Sequence, residues 1–572
     1  MRLTFSILLT ILFLQLQGQS NHWLQTFGSD MADNAYVLKV NQSDQVIVTG
    51  SVGDSTQITF NNTSLITDLA LGNGIIYKQD SSNNLMWFKQ IGGDKGRVSI
   101  TNMQFDRLGN IYLAGAYYDS VDFDPSSSVN LLVSNGHHSD AFIAKYSPGG
   151  SLIWVKGFGG PNWDFITSIL IEDTANVYVS GVFWGKADFN PSLDTNYVTS
   201  YGNHDGFISK LSSVGDFKFV YRIGGSGWDR INKIMFNNNH DIVAVGSFEG
   251  IANMNPLTTS SNRLYSGGAS DVFILRLDTG GNYISTKKIG GVGTVGVTKA
   301  LIDNDTLYLI GSLGDPSAGT QNGDVDFNPN SAVMNYSSDG TEDSYLAKYD
   351  PSDNLIWLNQ VGGRWMQRTL DFYISNNSKL FFSNVIKDTS ILYNNGVVID
   401  TIIPQNSSSL VAEIDCFGNY QRLTILNSSL SVGVTSLDTD SRMNVYSAGI
   451  FQGQTDFNPT TANNFRTPVG QGDIFVMKNF GHLTTSSINY EVKNKSKFKL
   501  YPNPNQGEFI VELNNSDSRA IIKVRDISGR IISNIFVQNT NKVELNIEEA
   551  SGLYFVEVNI DGVQQHFKVI KQ

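Results

Sequence analysis

Apolar and polar residues alternate with a period of two along most of this chain, and the 3.6-residue period of an amphipathic helix is absent. The clearest alternation is Ser139–Gly160, SDAFIAKYSPGGSLIWVKGFGG. It predicts a strand, a tight turn at Ser147-Pro148-Gly149-Gly150, a second strand and a Gly-Gly pair. The same pattern returns at His204–Gly225, Ser270–Gly291 and Glu342–Gly363, and more weakly at Asn73–Gly93. The first Gly of each pair is Gly92, Gly159, Gly224, Gly290 or Gly362, so the steps are 67, 65, 66 and 72 residues. Two further strands precede each such hairpin, as in Ile100–Phe105, the turn Asp106–Asn110 and Ile111–Tyr117. Four antiparallel strands per period of this length predict one blade of a β-propeller. The second strand gives an independent count. It recurs at Val46–Gly50, Ile111–Gly115, Val177–Gly181, Val243–Gly246, Leu307–Gly311, Leu380–Ser383 and Val445–Gly449, which predicts seven blades.

The last unit ends in a third strand, Gly472–Lys478, with no fourth strand after it. Near the other end of the chain, His22–Gly28 (HWLQTFG) matches the fourth-strand pattern of Leu152–Gly159 (LIWVKGFG). The expectation is that this N-terminal strand completes the seventh blade and removes the free edge of the ring. The predicted fold is therefore all-β: a seven-bladed β-propeller over residues 21–482. A polar linker at 483–497 and a small C-terminal β-sandwich over 498–572 follow.

Other features narrow the setting. Arg2 and the apolar run Ile7–Leu16, followed by Gly18-Gln19-Ser20, predict a cleaved export signal over residues 1–20. No later apolar run approaches the roughly 18 residues of a transmembrane helix. The net charge of -13 argues against nucleic acid or an anionic membrane as partner. A single cysteine, Cys416, rules out an internal disulfide and any Cys-rich metal site.

The Gly-Gly pairs, the Gly109-Asn110-Ile111-Tyr112 turn and the Asp-Phe-x-Pro tetrads resemble the SBBP repeat of secreted bacterial β-propellers, which implies a fold but no activity. The tail closely resembles the type A C-terminal sorting domain of the type IX secretion system of Bacteroidota. The matching residues include Tyr501-Pro502-Asn503-Pro504, Gly507, Asp526, Gly529 and Gly552-Leu553-Tyr554. That resemblance implies the type IX machinery as partner and a secreted or outer-membrane cell-surface location.

Candidate chemistry is sparse. Asp122, Asp124, Asp188, Asp326 and Asp456 belong to the Asp-Phe-x-Pro tetrads. Their oxygens suit Ca²⁺, the one metal cofactor suggested; alternatively they cap turns while Phe plugs between blades. Repetition in nearly every blade favours architecture, so the informative residues are those that break the repeat. Trp163-Asp164, Trp228-Asp229 and Arg364-Trp365 do so, each just after a Gly-Gly pair. These connections emerge on the same face as the long links carrying the tetrads, and loops on a rigid scaffold are where binding sites are built. The residues are candidate contacts for a glycan or protein ligand; the alternative is that the tryptophans pack between blades. His137-His138, beside Asp140, is a lesser candidate for metal or acid–base work. No catalytic residue is identified, and no HExxH or GxSxG motif occurs. A binding or adhesion module is the expected function. A polysaccharide lyase or glycosidase is the alternative, and it requires two placed carboxyl groups, or a Tyr/His/Arg set, that occurs once.

Overall fold

The structure, a computed structural model, describes residues 23–571 except 480–497 and the short stretches 30–31, 54, 61–62, 70–72, 94, 173–175, 257–261, 315–322, 331, 376–377, 405, 459–463, 503–504, 514–518, 527–529, 539, 541 and 561–562. The expected export signal and linker lie outside the described residues. The described regular structure is entirely β, and no helix is long and apolar enough to cross a membrane.

Seven sets of four antiparallel strands follow one another among the described residues. Blade I is Asn34–Val40, Val46–Val52, Asn73–Gln79 and Leu85–Ile91. Blade II is Arg97–Phe105, Ile111–Tyr118, Asp140–Tyr146 and Leu152–Phe158. Blade III is Phe165–Ile171, Val177–Asp188, Tyr197–Leu211 and Phe217–Gly225. Blade IV is Arg230–Phe236, Ile242–Phe248, Asp271–Leu277 and Tyr283–Gly291. Blade V is Val295–Asp303, Thr306–Leu313, Asp343–Tyr349 and Leu355–Gly363. Blade VI is Arg368–Ile374, Leu380–Lys387, Ser407–Ile414 and Tyr420–Ser428. Blade VII takes Ser431–Thr439, Val445–Gln452 and Asp473–Asn479 from late in the chain and Trp23–Phe27 from its beginning.

The core lies between the blades. Each blade interface has its own buried apolar cluster, as where Ile91 of blade I meets Ile100, Phe123 and Phe142 of blade II. Second and third strands are buried on both faces, so they read as apolar runs such as Asp271–Leu277 rather than as a clean alternation.

The joining strand is antiparallel to Asp473–Asn479, with Trp23 opposite Lys478 and Phe27 opposite Ile474. Its side chains repeat what the other fourth strands do. Trp87, Trp154 and Trp357 donate their indole N–H to the carbonyls of Pro148, Ser213 and Cys416 in the next blade. Trp23 donates in the same way to Ser81 O of blade I, at 3.2 Å.

Two motifs that recur together in the sequence meet across four of the junctions. The Gly-Gly end of one blade pairs with the Asp-Phe-x-Pro hairpin of the next: Gly92 with Asp122, Gly159 with Asp188, Gly224 with Asn253 and Gly290 with Asp326. Glycine is required there. A Cβ on Gly225 would sit 1.7 Å from Ile251 O, and one on Gly159 would lie 2.7 Å from an oxygen of Asp164 and 2.8 Å from one of Asp140. In blade VI, the most divergent unit, the hairpin is Ser390–Asn394 with Val397–Ile402. These hairpins fall in what the sequence shows only as long links.

The tail forms two antiparallel sheets. Phe498–Tyr501, Glu508–Leu513 and Lys542–Asn546 make one; Ile531–Gln538, Arg519–Asp526, Gly552–Ile560 and Val563–Lys571 make the other. Phe509, Val511, Ile522, Val524, Val556 and Val569 are among the residues of their common core. The strand at Phe498–Tyr501 is missing from the sequence-based expectation, because four residues ending before a proline carry too little alternation.

Candidate functional site

The chain has eight tryptophans, and the structure divides them by use. Trp23, Trp87, Trp154 and Trp357 are the inter-blade stitches just described. Trp163, Trp184, Trp228 and Trp365 lie on the long-loop face with 49, 36, 53 and 49% of their surface exposed. Trp228 stacks on His204, ring centroids 4.0 Å apart and planes 25° from parallel. Trp184 lies against the same imidazole at 5.5 Å. His204 is buried between them, neither ring nitrogen has a partner, and burial lowers its pKa. Arg230, Glu249 and Glu342 join His204 and Trp228 around a cavity of about 360 Å³ at this face, between blades III and V.

The other two rim tryptophans stand apart from this cavity. Trp163 donates its indole N–H to His138 Nδ1. Trp365 lies beside Arg364 and Lys387, whose cationic groups are 5.7 and 6.0 Å from its ring. Sequence reasoning missed Trp184 and His204. The signal was their pairing, Trp184 opposite His204 on adjacent strands, which needs the strand register to be known.

Asp164 and Asp229 are not presented on the rim. They are 1% and 0% exposed. Asp164 accepts from Gly160 N–H at 2.7 Å and Trp184 N–H at 3.2 Å; Asp229 accepts from Gly225 N–H at 2.6 Å and Glu249 N–H at 3.3 Å. Asp33 does the same at the closing junction, accepting from Ser29 and Gly53. Each faces a carboxylate from the start of a third strand: Asp473, Asp140 or Asp205. Burial, with the neighbouring carboxylate adding to it, raises Asp164 to about 8 and Asp229 to about 7. Burial raises Asp140 and Asp205 to about 7 each. These acid pairs are junction parts and occur repeatedly.

The tetrad carboxylates cap their own hairpins. Asp122 Oδ1 accepts from Asp124 N–H and Asn130 N–H, at 3.0 and 2.8 Å. Asp188, Asp326 and Asp456 repeat this pair of contacts with Asn190 and Asn196, Asn328 and Met334, and Asn458 and Asn464. Asp124 Oδ1 accepts from Ser126 N–H. The intervening Phe123, Phe189, Phe327 and Phe457 are 0–2% exposed and wedge against Phe142, Phe207, Tyr345 and Phe475. Among the described residues no group of three His, Cys, Asp or Glu is placed to hold a metal ion.

The central channel is the other cavity, about 430 Å³, lined by the first strand of every blade. Each of these strands carries a register shift at the same place, as between Ile231 and Lys233 or Val297 and Lys299. Bulges re-aim side chains. Here the equivalent positions after the bulge are Val37, Asn102, Ser168, Lys233, Lys299, Asp371 and Ser436. Asp371 Oδ1 takes Lys299 Nζ at 2.7 Å, and its Oδ2 takes Leu437 N–H at 2.8 Å. Asp438 accepts from Val40 N–H at 2.9 Å. Both carboxylates therefore tie one first strand to the next. None of these channel residues was a sequence candidate, because a lysine in an alternating strand reads as a solvent-facing position.

In the tail, Asp526 Oδ1 accepts from Arg530 N–H at 3.0 Å. Gly507 has φ +115° and donates to Asn505 Oδ1. Tyr501 donates to Glu512, Pro502 O accepts from Asn505, and Tyr554, buried beside Val556, donates to Ala550 O. Gly552 starts its strand with open surroundings, and Leu553 pairs with Ile570 along the backbone. Asn503, Pro504 and Gly529 lie outside the described residues.

Comparison with known proteins fits this anatomy. Residues 87–116, from the fourth strand of blade I through the second of blade II, match the family of the β-propeller repeat, SBBP. Residues 499–572 match the secretion system C-terminal sorting domain. An uncharacterised WD repeat-containing protein of Acanthamoeba polyphaga mimivirus is 22% identical over 365 residues, 54% of this chain. The match spans only 26% of that viral protein. The chain is thus a β-propeller that carries a type IX sorting tail, which indicates secretion or attachment at the cell surface.

Proposed function

We propose that the exported propeller is a binding module that takes an extracellular glycan on its long-loop rim. The observation that carries this reading is the set of exposed rim tryptophans, Trp163, Trp184, Trp228 and Trp365, in a repeat whose other four tryptophans are hydrogen-bonded into the next blade. Large aromatic faces left in water on a rigid frame suit stacking on sugar rings. The Trp184–His204–Trp228 stack gives the firmest platform, with Arg230 and Glu249 beside it to supply hydrogen bonds. Asp164 and Asp229 act by holding the loops that present Trp163 and Trp228. A binding role also suits the acidic groups: the repeated pairs are buried, Asp371 is engaged by Lys299 and Leu437 N–H, and Asp438 by backbone N–H groups.

Glycan-array screening followed by calorimetry tests this. Trp228→Ala should weaken the best hit by about 10–30-fold while the melting temperature stays near that of the parent. Turnover of a hit, or equal binding by Trp163→Ala, Trp228→Ala and Trp365→Ala, would overturn it.

A further inference from the structure

The channel holds an arrangement that the rim reading does not use. Lys39 of blade I, Lys233 of blade IV and Lys299 of blade V all line it. Asp303 and Asp371 line the same cavity, so cations outnumber carboxylates there by three to two in a protein whose net charge is -13. Lys299 is paired with Asp371 at 2.7 Å. Asp438, the other carboxylate near Lys39, is 5% exposed and takes the backbone N–H groups of Val40 and Thr439. Among the described residues no carboxylate forms an ion pair with Lys233, and Asp371, which attracts it, is bonded to Lys299. Burial pushes the Lys233 ammonium down to about 7, Lys39 and Lys299 push it the same way, and Asp371 opposes them. Asp371, already engaged by Lys299 and Leu437 N–H, only partly offsets the two like charges on Lys233, and a half-buried ammonium is costly without a further anion.

We infer that the central channel is a binding site for a small oxyanion (phosphate, sulfate or a short polycarboxylate) held between Lys233, Lys39 and Lys299. The hydroxyls of Thr101, Thr167 and Ser436 are in the lining, although all three already donate to carbonyls, those of Ile166, Ile231 and Leu38. The lysines therefore supply the recognition, as point charges that suit several oxyanions rather than one planar group. The cavity volume limits the ligand to a small molecule and argues against a threaded polymer.

The test uses the full exported chain in mildly acidic buffer, with phosphate, sulfate and citrate each titrated at constant ionic strength. Thermal melting and calorimetry are the readouts. At least one of the three should raise the melting temperature and saturate. Lys233→Met should weaken that binding at least about tenfold while raising the melting temperature measured without the anion. Lys39→Gln is the second variant, should Lys233→Met fail to fold, and it too should weaken binding. Lys523→Met, in the tail and paired with Glu557, should change nothing. Absence of a saturable shift with all three anions, or a shift retained by both channel variants, would overturn the inference. Neither result bears on glycan binding at the rim, which is read from the array.

Discussion

A single aromatic ring does different work according to where the repeat places it. Phe189 is 1% exposed and packs on Phe158 of one blade and Phe207 of the next. Phe189→Ala should cost about 3–5 kcal/mol, measured by chemical denaturation. Trp228, resting on His204 with half of its surface in water, should cost under about 1.5 kcal/mol as alanine. Reversal of that order would mean the rim tryptophan is a packing residue. The glycines follow the same logic: Gly225→Ala forces a methyl against Ile251 O, and should be at least as damaging as an overpacked core, about 1–3 kcal/mol. The tetrads show both the reach and the limit of reading residues alone. Turn-capping Asp and wedging Phe follow from residue chemistry, but the meeting of a tetrad with the Gly-Gly of the previous blade does not, since the partners lie about 30 residues apart in sequence.

At the level of elements, the strand Trp23–Phe27 closes the ring on blade VII. Its role was legible because one unit lacked a fourth strand and HWLQTFG matched one. The side chains agree in detail, down to the indole bond from Trp23 to Ser81 O and the approach of Gly28 to Asp473 and Asp33. Removal of residues 23–27 would bare the edge of Asp473–Asn479. The expected outcome is a lower melting temperature and self-association, seen by light scattering after size exclusion. A monomer with unchanged melting would show that the strand is dispensable. The first strands were read correctly as elements and incompletely as surfaces. The bulge repeated in all seven decides which side chains line the channel, and it is set by pairing with the second strand, not by local composition.

For the whole molecule, the buried acid pairs couple stability to pH. Asp140, Asp164, Asp205, Asp229 and Asp343 have folded-state values of about 7, 8, 7, 7 and 7, all above the ordinary 3.8. The folded state therefore keeps protons that the unfolded chain releases. This stabilisation is full below about pH 4 and is lost as pH rises through 7 to 8. Lys233 acts with the opposite sign above about 7, because its folded value is lowered. Melting temperature should therefore fall between pH 5 and pH 8, and Asp164→Asn with Asp229→Asn should flatten the slope. A rise over that interval would contradict the assignment. Export is the other whole-molecule property. Deletion of 498–572 should leave the propeller inside the cell envelope, detected by fractionation, whereas the full chain reaches the surface or the medium.

The sequence by itself determined the class of fold, the repeat, the closing strand and the export route, because each is written in local alternation, spacing or a contiguous motif. Tertiary structure alone decided which tryptophans are stitches and which stay exposed on the rim, which carboxylates are buried, and that three lysines share one channel. Those properties depend on distances between residues that are far apart in the chain. They are set only when seven twisted sheets pack around a common axis and burial changes the energy of every charge between them.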